Sequence, residues 1–281
     1  ASDVYKRQAD SGSTKTDWSL VSSGKVIWQG KSKGLNPYFL SENEMDLEIR
    51  NVLSPLLENY RPESAFFYGA GCIFGKAEIV RSLLRKCLNI EKVTVHSDLM
   101  AAVHCLCGDR PGIACILGTG SNACFYDGTQ ITKHISPLGF ILGDEGSGAV
   151  LGKLLVGSLL KGVLGNQLRE KFILQYGYSE GEIIDRVYRH PFPNRFLASF
   201  TPFIKENIHE PLMHKLVLDS FIAFFSRNVL PLECEEYEVN MVGSIAYHFK
   251  DILEEAAAKC NMKLGRIVQS PMEGLIDYLS L

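Results

Sequence analysis

The chain has 281 residues, 46% of them hydrophobic and 22% charged, with a formal net charge of −3. That length allows two domains, each with its own core, and the slightly negative balance argues against an extended nucleic-acid surface. No apolar run approaches the roughly 20 residues of a membrane span, no secretory signal is visible at the start, and eight cysteines without a C-x-x-C pair read as reduced, buried thiols of a cytosolic protein.

The first eight residues, ASDVYKRQ, break what should be an apolar first strand with Asp3, Lys6, Arg7 and Gln8, and read as a foreign start in place of the natural strand residues. Next, ADSGSTKTDWSL sets Gly12, Ser13, Thr14, Lys15 and Thr16 directly behind Asp10. A nucleotide P-loop needs G-x-x-x-x-G-K-[ST] opening a helix. Here Thr14 precedes Lys15, and Asp17–Val21 alternates polar and apolar up to a Gly24-Lys25 turn and Val26-Ile27-Trp28. The glycine turn therefore joins two strands of a hairpin, which excludes the P-loop. Its short donors and close backbone approach suit phosphate, although such clusters are also ordinary turns.

Asn36, in KGLNPYF, precedes a proline and has a bland reading as a turn residue. Helical patterns follow near 43–60 and 77–88. In HSDLMAAVHCL a strand carrying Val93 and Val95 gives way to a helix near 98–107, with Asp98 or Ser97 as its cap. Asp109-Arg110-Pro111-Gly112 is a turn cluster and a candidate domain boundary.

The second glycine turn lies in GIACILGTGSNACFYDG: a strand from Ile113 to Leu117, the turn Gly118–Asn122, then a strand ending at Asp127-Gly128. Its layout repeats that of the first hairpin and hints at duplicated domains. Gly118–Ala123 also fits the dinucleotide pattern G-x-G-x-x-G/A, but a strand follows instead of a helix, so that site is rejected. Asp144 and Glu145, in LGDEGSG, precede a helical pattern near 146–161 and suit its first turn. Further helical patterns cover 195–209 and 212–230, and Phe172 in KFILQYGYSE reads as helix core. The third turn, Gly243-Ser244, follows a strand ending at Val242 and opens a helix carrying Ile245, Phe249, Ile252, Leu253 and Ala256. Hairpins mixed with helices indicate α/β or α+β domains with mixed sheets. Two phosphate-type turns, one opening each domain, can grip a polyphosphate from two sides, and Asp10 can hold Mg²⁺ through water.

DSGSTKT, GLNP, SDLMAA, LGTGSN, LGDEGSG and VGSIA run in that order from Asp10 to Ala246. On these motifs the chain resembles the superfamily of actin, the heat-shock chaperone ATPases and sugar kinases. More closely, it resembles the N-acetylglucosamine kinase branch of the BadF/BadG/BcrA/BcrD-type ATPases. The resemblance implies an α/β protein of two ribonuclease-H-like domains (the actin-like ATPase fold), with mixed sheets and an interdomain nucleotide cleft. Residues 9–111 would form the smaller lobe, joined by a C-terminal helix in 270–281, and 112–269 the larger.

The same resemblance assigns ATP phosphates to Gly12, Ser13, Thr14, Lys15 and Thr16 and to Gly118, Thr119 and Gly120. Gly243 and Ser244 lie against the adenosine, and Asp10 serves Mg²⁺ through water. The acceptor sugar falls to Asn36, Ser121, Asn122, Gly139 and Asp144, and Asp98 takes the proton from the attacking hydroxyl. The implied activity is ATP-dependent phosphorylation of an amino sugar, N-acetylglucosamine to its 6-phosphate, by a cytoplasmic homodimer.

Leu138-Gly139 stands where the family often has Trp-Gly. The Cys-rich zinc motif of the repressor/ORF/kinase branch and any helix-turn-helix pattern are absent, which disfavours a sugar-responsive repressor. Two alternatives from other classes are an ATPase activator of an iron–sulfur enzyme and a non-catalytic sugar or nucleotide sensor. For the activator, Cys72 and Cys105-x-Cys107 are the candidate thiols, but the latter pair falls in an apolar helix pattern and not in an exposed glycine-rich loop.

Overall fold

The computed structural model describes residues 5–11, 15–73 and 75–280, with the backbone alone for 5–11 and Ser280. The predicted phosphate residues Gly12, Ser13 and Thr14 lie outside the described residues, as does the side chain of Asp10. The chain divides into two compact units, Ala1–Gly108 with Pro271–Leu281, and Asp109–Ser270.

In chain order the first unit holds β1 (Tyr5–Ser11), β2 (Lys15–Ser22), β3 (Lys25–Lys33), α1 (Glu42–Leu57), β4 (Ser64–Gly69), α2 (Lys76–Leu88), β5 (Val93–Ser97) and α3 (Asp98–Leu106). Among the described residues its strands form a five-stranded sheet, β3-β2-β1-β4-β5. It is antiparallel across the hairpins and parallel from β1 through β4 to β5. Central β1 pairs on both sides despite its polar sequence, because a strand's ladder is made by backbone groups that nearly every residue supplies.

Ser41 and Glu44 close a reciprocal capping box at the start of α1, and the helix buries Met45, Ile49, Leu53 and Leu56 at helical spacing. That stripe joins Trp18, Phe67, Val80 and Leu84 in one core. The final helix of the chain, Met272–Ser280, also belongs to this unit. Its Leu275 packs with Tyr68 and Ala101, and its Tyr278 stacks on His104 at 4.2 Å.

The second unit opens with β6 (Gly112–Leu117), β7 (Ser121–Tyr126) and β8 (Ile131–Ile135). A helical stretch follows: α4 (Gly139–Leu142), α5 (Gly148–Leu160), α6 (Asn166–Tyr176), α7 (Glu180–Arg189), α8 (Pro193–Ala198), α9 (Thr201–Glu206) and α10 (Pro211–Phe224), continued by a π turn over Phe225–Val229. The unit closes with β9 (Val239–Val242), α11 (Ser244–His248), α12 (Lys250–Lys259) and β10 (Leu264–Val268). Here the sheet order is β10-β9-β6-β7-β8, again antiparallel in the hairpins and parallel from β6 through β9 to β10. Counted from each unit's first strand, both sheets run third-second-first-fourth-fifth. The duplication hinted at by the glycine turns is thus realised as two ribonuclease-H-like units of the actin-like ATPase fold.

Several helix expectations need adjustment. The 195–209 pattern is two short helices, with Pro202 in the first turn of α9, and the 212–230 pattern is α10 plus the π turn. The helix after Gly243 is broken at Phe249 into α11 and α12. Several features went unread: β4, α4, the short strands β8 and β10, and α7, although Ile183, Ile184 and Val187 recur in its sequence at helical spacing. Phe172 is helix core, buried with Phe200 and Phe203 in an aromatic cluster. All eight cysteines are thiols and seven are buried. No helix among the described residues is long and apolar enough to cross a membrane.

Candidate active site

In the first unit, the predicted base stands where β5 passes into α3. Ser97 is the N-cap, its hydroxyl accepting from Met100 N–H at 3.4 Å, so Asp98 is the first helical residue. Its Oδ1 accepts the Leu99 N–H at 3.0 Å. Desolvation raises the Asp98 carboxyl above the ordinary range, against the lowering effect of the backbone N–H groups. Burial, together with the Asp98 charge, pushes the Cys72 thiol up to about 12. Neither that thiol nor Cys105 and Cys107, buried at the end of α3, has the exposed setting of a cluster ligand. No group of three or more His, Cys, Asp or Glu suited to a metal ion occurs among the described residues.

Asn36 is buried, and its Oδ1 accepts the Tyr38 N–H at 2.9 Å. This is the turn role its place before proline suggests. Gly71, at φ +79°, comes so close that a Cβ there would sit 2.4 Å from Asn36 Oδ1. The Gly71-Cys72 loop therefore backs onto Asn36, a support that the sequence pattern does not mark, since it rests on a contact between residues 35 positions apart. Lys15 is mostly exposed and paired with Asp17 at 2.6 Å. Thr16 is fully buried and donates to Lys33 O at 3.0 Å.

In the second unit, the β6–β7 turn, the loop before α5 and the β9–α11 turn come together. Gly118 donates to Gly120 O at 2.9 Å, and the carbonyls of Gly118 and Thr119 accept from Gly148 and Ala149 at the start of α5. A Cβ on Gly118 would meet nothing within 4 Å, so the turn leaves open space on that side. Gly243 packs against the base of the same turn, where a Cβ would lie 2.2 Å from Leu117 O, and its φ of +130° suits only glycine. Ser244 opens α11.

Asp144 adjoins this turn. Its carboxylate accepts the Ser121 N–H, and its Oδ2 lies 3.2 Å from where a Cβ on Gly120 would be. Burial, then the Glu145 charge, pushes the Asp144 carboxyl up to about 6, against the Ser121 N–H and Lys153. The Ser121 hydroxyl is buried with no hydrogen-bond partner among the described residues. Asn122 Oδ1 accepts from His134 Nε2 at 2.8 Å, leaving its amide nitrogen as a donor. Gly139, at φ +75°, begins α4.

One expectation is corrected. The N-cap of α5 is Ser147, so neither Asp144 nor Glu145 lies in that helix's first turn. Glu145 instead binds Arg227 and Asn228, partners that nothing in the sequence pattern marked.

No family model and no curated protein matches the chain. Solved structures do. A Porphyromonas gingivalis protein, provisionally assigned as an N-acetylglucosamine kinase, matches with a TM-score of 0.95 and 44% identity over 98% of each chain. A Chromobacterium violaceum protein with the same provisional assignment gives 0.77 at 16% identity, over 99% of this chain and 100% of that one. A Thermus thermophilus hexokinase of the repressor/ORF/kinase group gives 0.56 at 12%, over 99% and 98%. The last two speak for the fold alone. By its likeness to the first over nearly the whole of both sequences, the chain belongs to the N-acetylglucosamine kinase branch of the BadF/BadG/BcrA/BcrD-type ATPase family.

Proposed function

We propose that this protein is an ATP-dependent sugar kinase whose acceptor is an amino sugar, N-acetylglucosamine, phosphorylated on its 6-hydroxyl. The observation that carries the reading is the junction of Asp144 with the Gly118–Gly120 turn, which sets a carboxylate suited to sugar hydroxyls beside a glycine turn suited to phosphate. The assignment of the 44%-identical P. gingivalis protein supports the same acceptor.

In this mechanism Asp98 accepts the proton of the attacking hydroxyl. Its desolvated carboxylate is a stronger base than a solvated one, and the Leu99 N–H fixes its direction. The sugar oxygen bonds to the γ-phosphorus of ATP as the bond to the β–γ bridging oxygen breaks, and ADP leaves. Asn36, Ser121, Asn122, Gly139 and Asp144 hold the sugar, the unpartnered Ser121 hydroxyl supplying one of the polar contacts. Gly118, Thr119 and Gly120 take phosphate through backbone N–H groups, together with the first hairpin turn, Gly12 to Thr16. The hydroxyl of Thr16 is already given to Lys33, so that residue acts through its backbone. Gly243 and Ser244 take the adenosine. Asp10 offers the hard carboxylate oxygens that Mg²⁺ accepts through water, and the ion when bound offsets phosphate charge.

The test is ATP consumption by wild type and Asp98→Asn across a panel of amino sugars, with the phosphorylated sugar identified by mass. Wild type should make N-acetylglucosamine 6-phosphate, and the variant should lose about 10²–10⁴-fold in kcat. ATP loss without a phosphorylated sugar would overturn the reading.

A further inference from the structure

Glu145 follows Asp144 in sequence but is committed elsewhere. Its Oε1 accepts from Arg227 Nη1 at 3.0 Å and its Oε2 from Asn228 Nδ2 at 3.1 Å. We infer that Glu145, gripped by Asn228 of the π turn, is a positioning residue that holds Asp144 in its sugar-binding conformation. This inference rests on the assignment of Asp144 to the acceptor sugar.

The first ground is the backbone. Asp144 has φ +53°, a left-handed conformation that residues other than glycine keep only when their surroundings impose it. Those surroundings are specific. The Asp144 N–H donates to Pro137 O at 2.8 Å, and Ser147 N–H donates back to Asp144 O at 3.0 Å. Gly146 N–H donates to Ser220 Oγ at 3.1 Å. Between these ties, the Glu145 carboxylate adds a side-chain hold at the residue next to Asp144. With Glu145 fixed on α10 and its π turn, the Asp144 carboxylate is left to the Ser121 N–H.

The second ground is the π turn itself. Ser220 and Asn228 are both buried. In a regular helix, eight residues at about 100° each would carry Asn228 about 80° away from the line of Ser220. The wider turn over Phe225–Val229 absorbs one extra residue and swings Asn228 back toward that line. Both side chains then meet one short loop. Such π turns are frequent at functional sites.

Burial decides between the two partners of Glu145. The Arg227 side chain is 70% exposed, so its ion pair is screened and weak. Asn228 is 3% exposed, and its bond to a charged acceptor is made away from water. Burial alone would raise the Glu145 carboxyl, but the hydrogen bonds from Asn228 and Arg227 win and keep it ionised.

The experiment compares Asn228→Ala, Arg227→Ala and wild type in sugar-dependent ATP turnover, and follows amide exchange of Ser121 by NMR in the same proteins without ligand. Losing a hydrogen bond to a charged group should raise the sugar KM about tenfold in Asn228→Ala, with the ATP KM within about twofold. Arg227→Ala should change either by no more than about twofold. Ser121 N–H, which donates to Asp144, should exchange faster in Asn228→Ala and unchanged in Arg227→Ala. If Asn228→Ala fails to fold, the near-isosteric Glu145→Gln gives the same readings. An unchanged sugar KM, or both KM values rising together, overturns the inference, as does unaltered Ser121 exchange. Since the exchange measurement needs no turnover, a wild type inactive on every sugar would sink the kinase reading alone and leave the positioning role to be judged by NMR.

Discussion

Asp144→Asn separates the cost of a functional carboxylate from its use. The Asp144 carboxyl is pushed from an ordinary 3.8 up to about 6, chiefly by burial. At 1.36 kcal/mol for each pH unit, that is ~3 kcal/mol against the ionised form, and its partial exposure reduces the expected cost to ~1–2 kcal/mol. The sign follows from proton binding. Between pH 3.8 and about 6 the folded state holds more protons on this group than the unfolded state, so its contribution to stability falls as pH rises through that window. Asparagine keeps an oxygen for the Ser121 N–H, tolerates φ +53° and carries no charge. Urea unfolding of both proteins from pH 4 to pH 8 should therefore give a stability advantage to the variant that grows by ~1–2 kcal/mol across the range. The tolerance of asparagine for a left-handed backbone adds a constant that cancels in this difference. An advantage that stays flat with pH would refute the reasoning. The same variant should bind the sugar poorly, a stability–activity trade at one residue.

Two other predictions are more direct. Because the Asp98 carboxyl is raised and must be ionised to take a proton, kcat/KM should fall as pH drops through its titration, at a higher pH than a solvated aspartate would give. A pH–rate profile with its acid limb at the ordinary aspartate value would contradict this. Gly152→Ala should destabilise the second unit by more than about 2 kcal/mol, since the added Cβ would fall 1.9 Å from Leu197 O, where α5 and α8 backbones touch. Urea unfolding measures this, and a neutral outcome would mean that α8 moves aside at little cost.

The strands that flank the glycine turns were the most legible part of the sequence. Ile113–Leu117 and Asp17–Val21 alternate or run apolar up to glycine turns, and that local signal suffices for a hairpin. The repeated sheet order was only hinted at, because it depends on long-range parallel pairing of β1 with β4 and of β6 with β9. The polar residues of β1 gave a misleading signal, since position in the sheet, not side-chain preference, decides that strand's pairing. Among the candidate residues, Asp98, Ser121 and Asp144 stood out by the motifs that hold them. Their supports did not. Gly71 behind Asn36, and Ser220 and Asn228 around the Asp144 loop, are ordinary residues made important by distant contacts. The π turn left no trace in the pattern, because one added residue per turn is invisible to a count of apolar positions.

The helix Met272–Ser280 places a temporal demand on biogenesis. Although it completes the first unit, it leaves the ribosome only after all of Asp109–Ser270 has been made. Until then Tyr68, Ala101 and His104 lack the cover of Leu275 and Tyr278. The helix that starts at Asp98 must therefore wait, half-dressed, for this later-translated segment, and a polypeptide released before it would present that apolar face to chaperones and proteases.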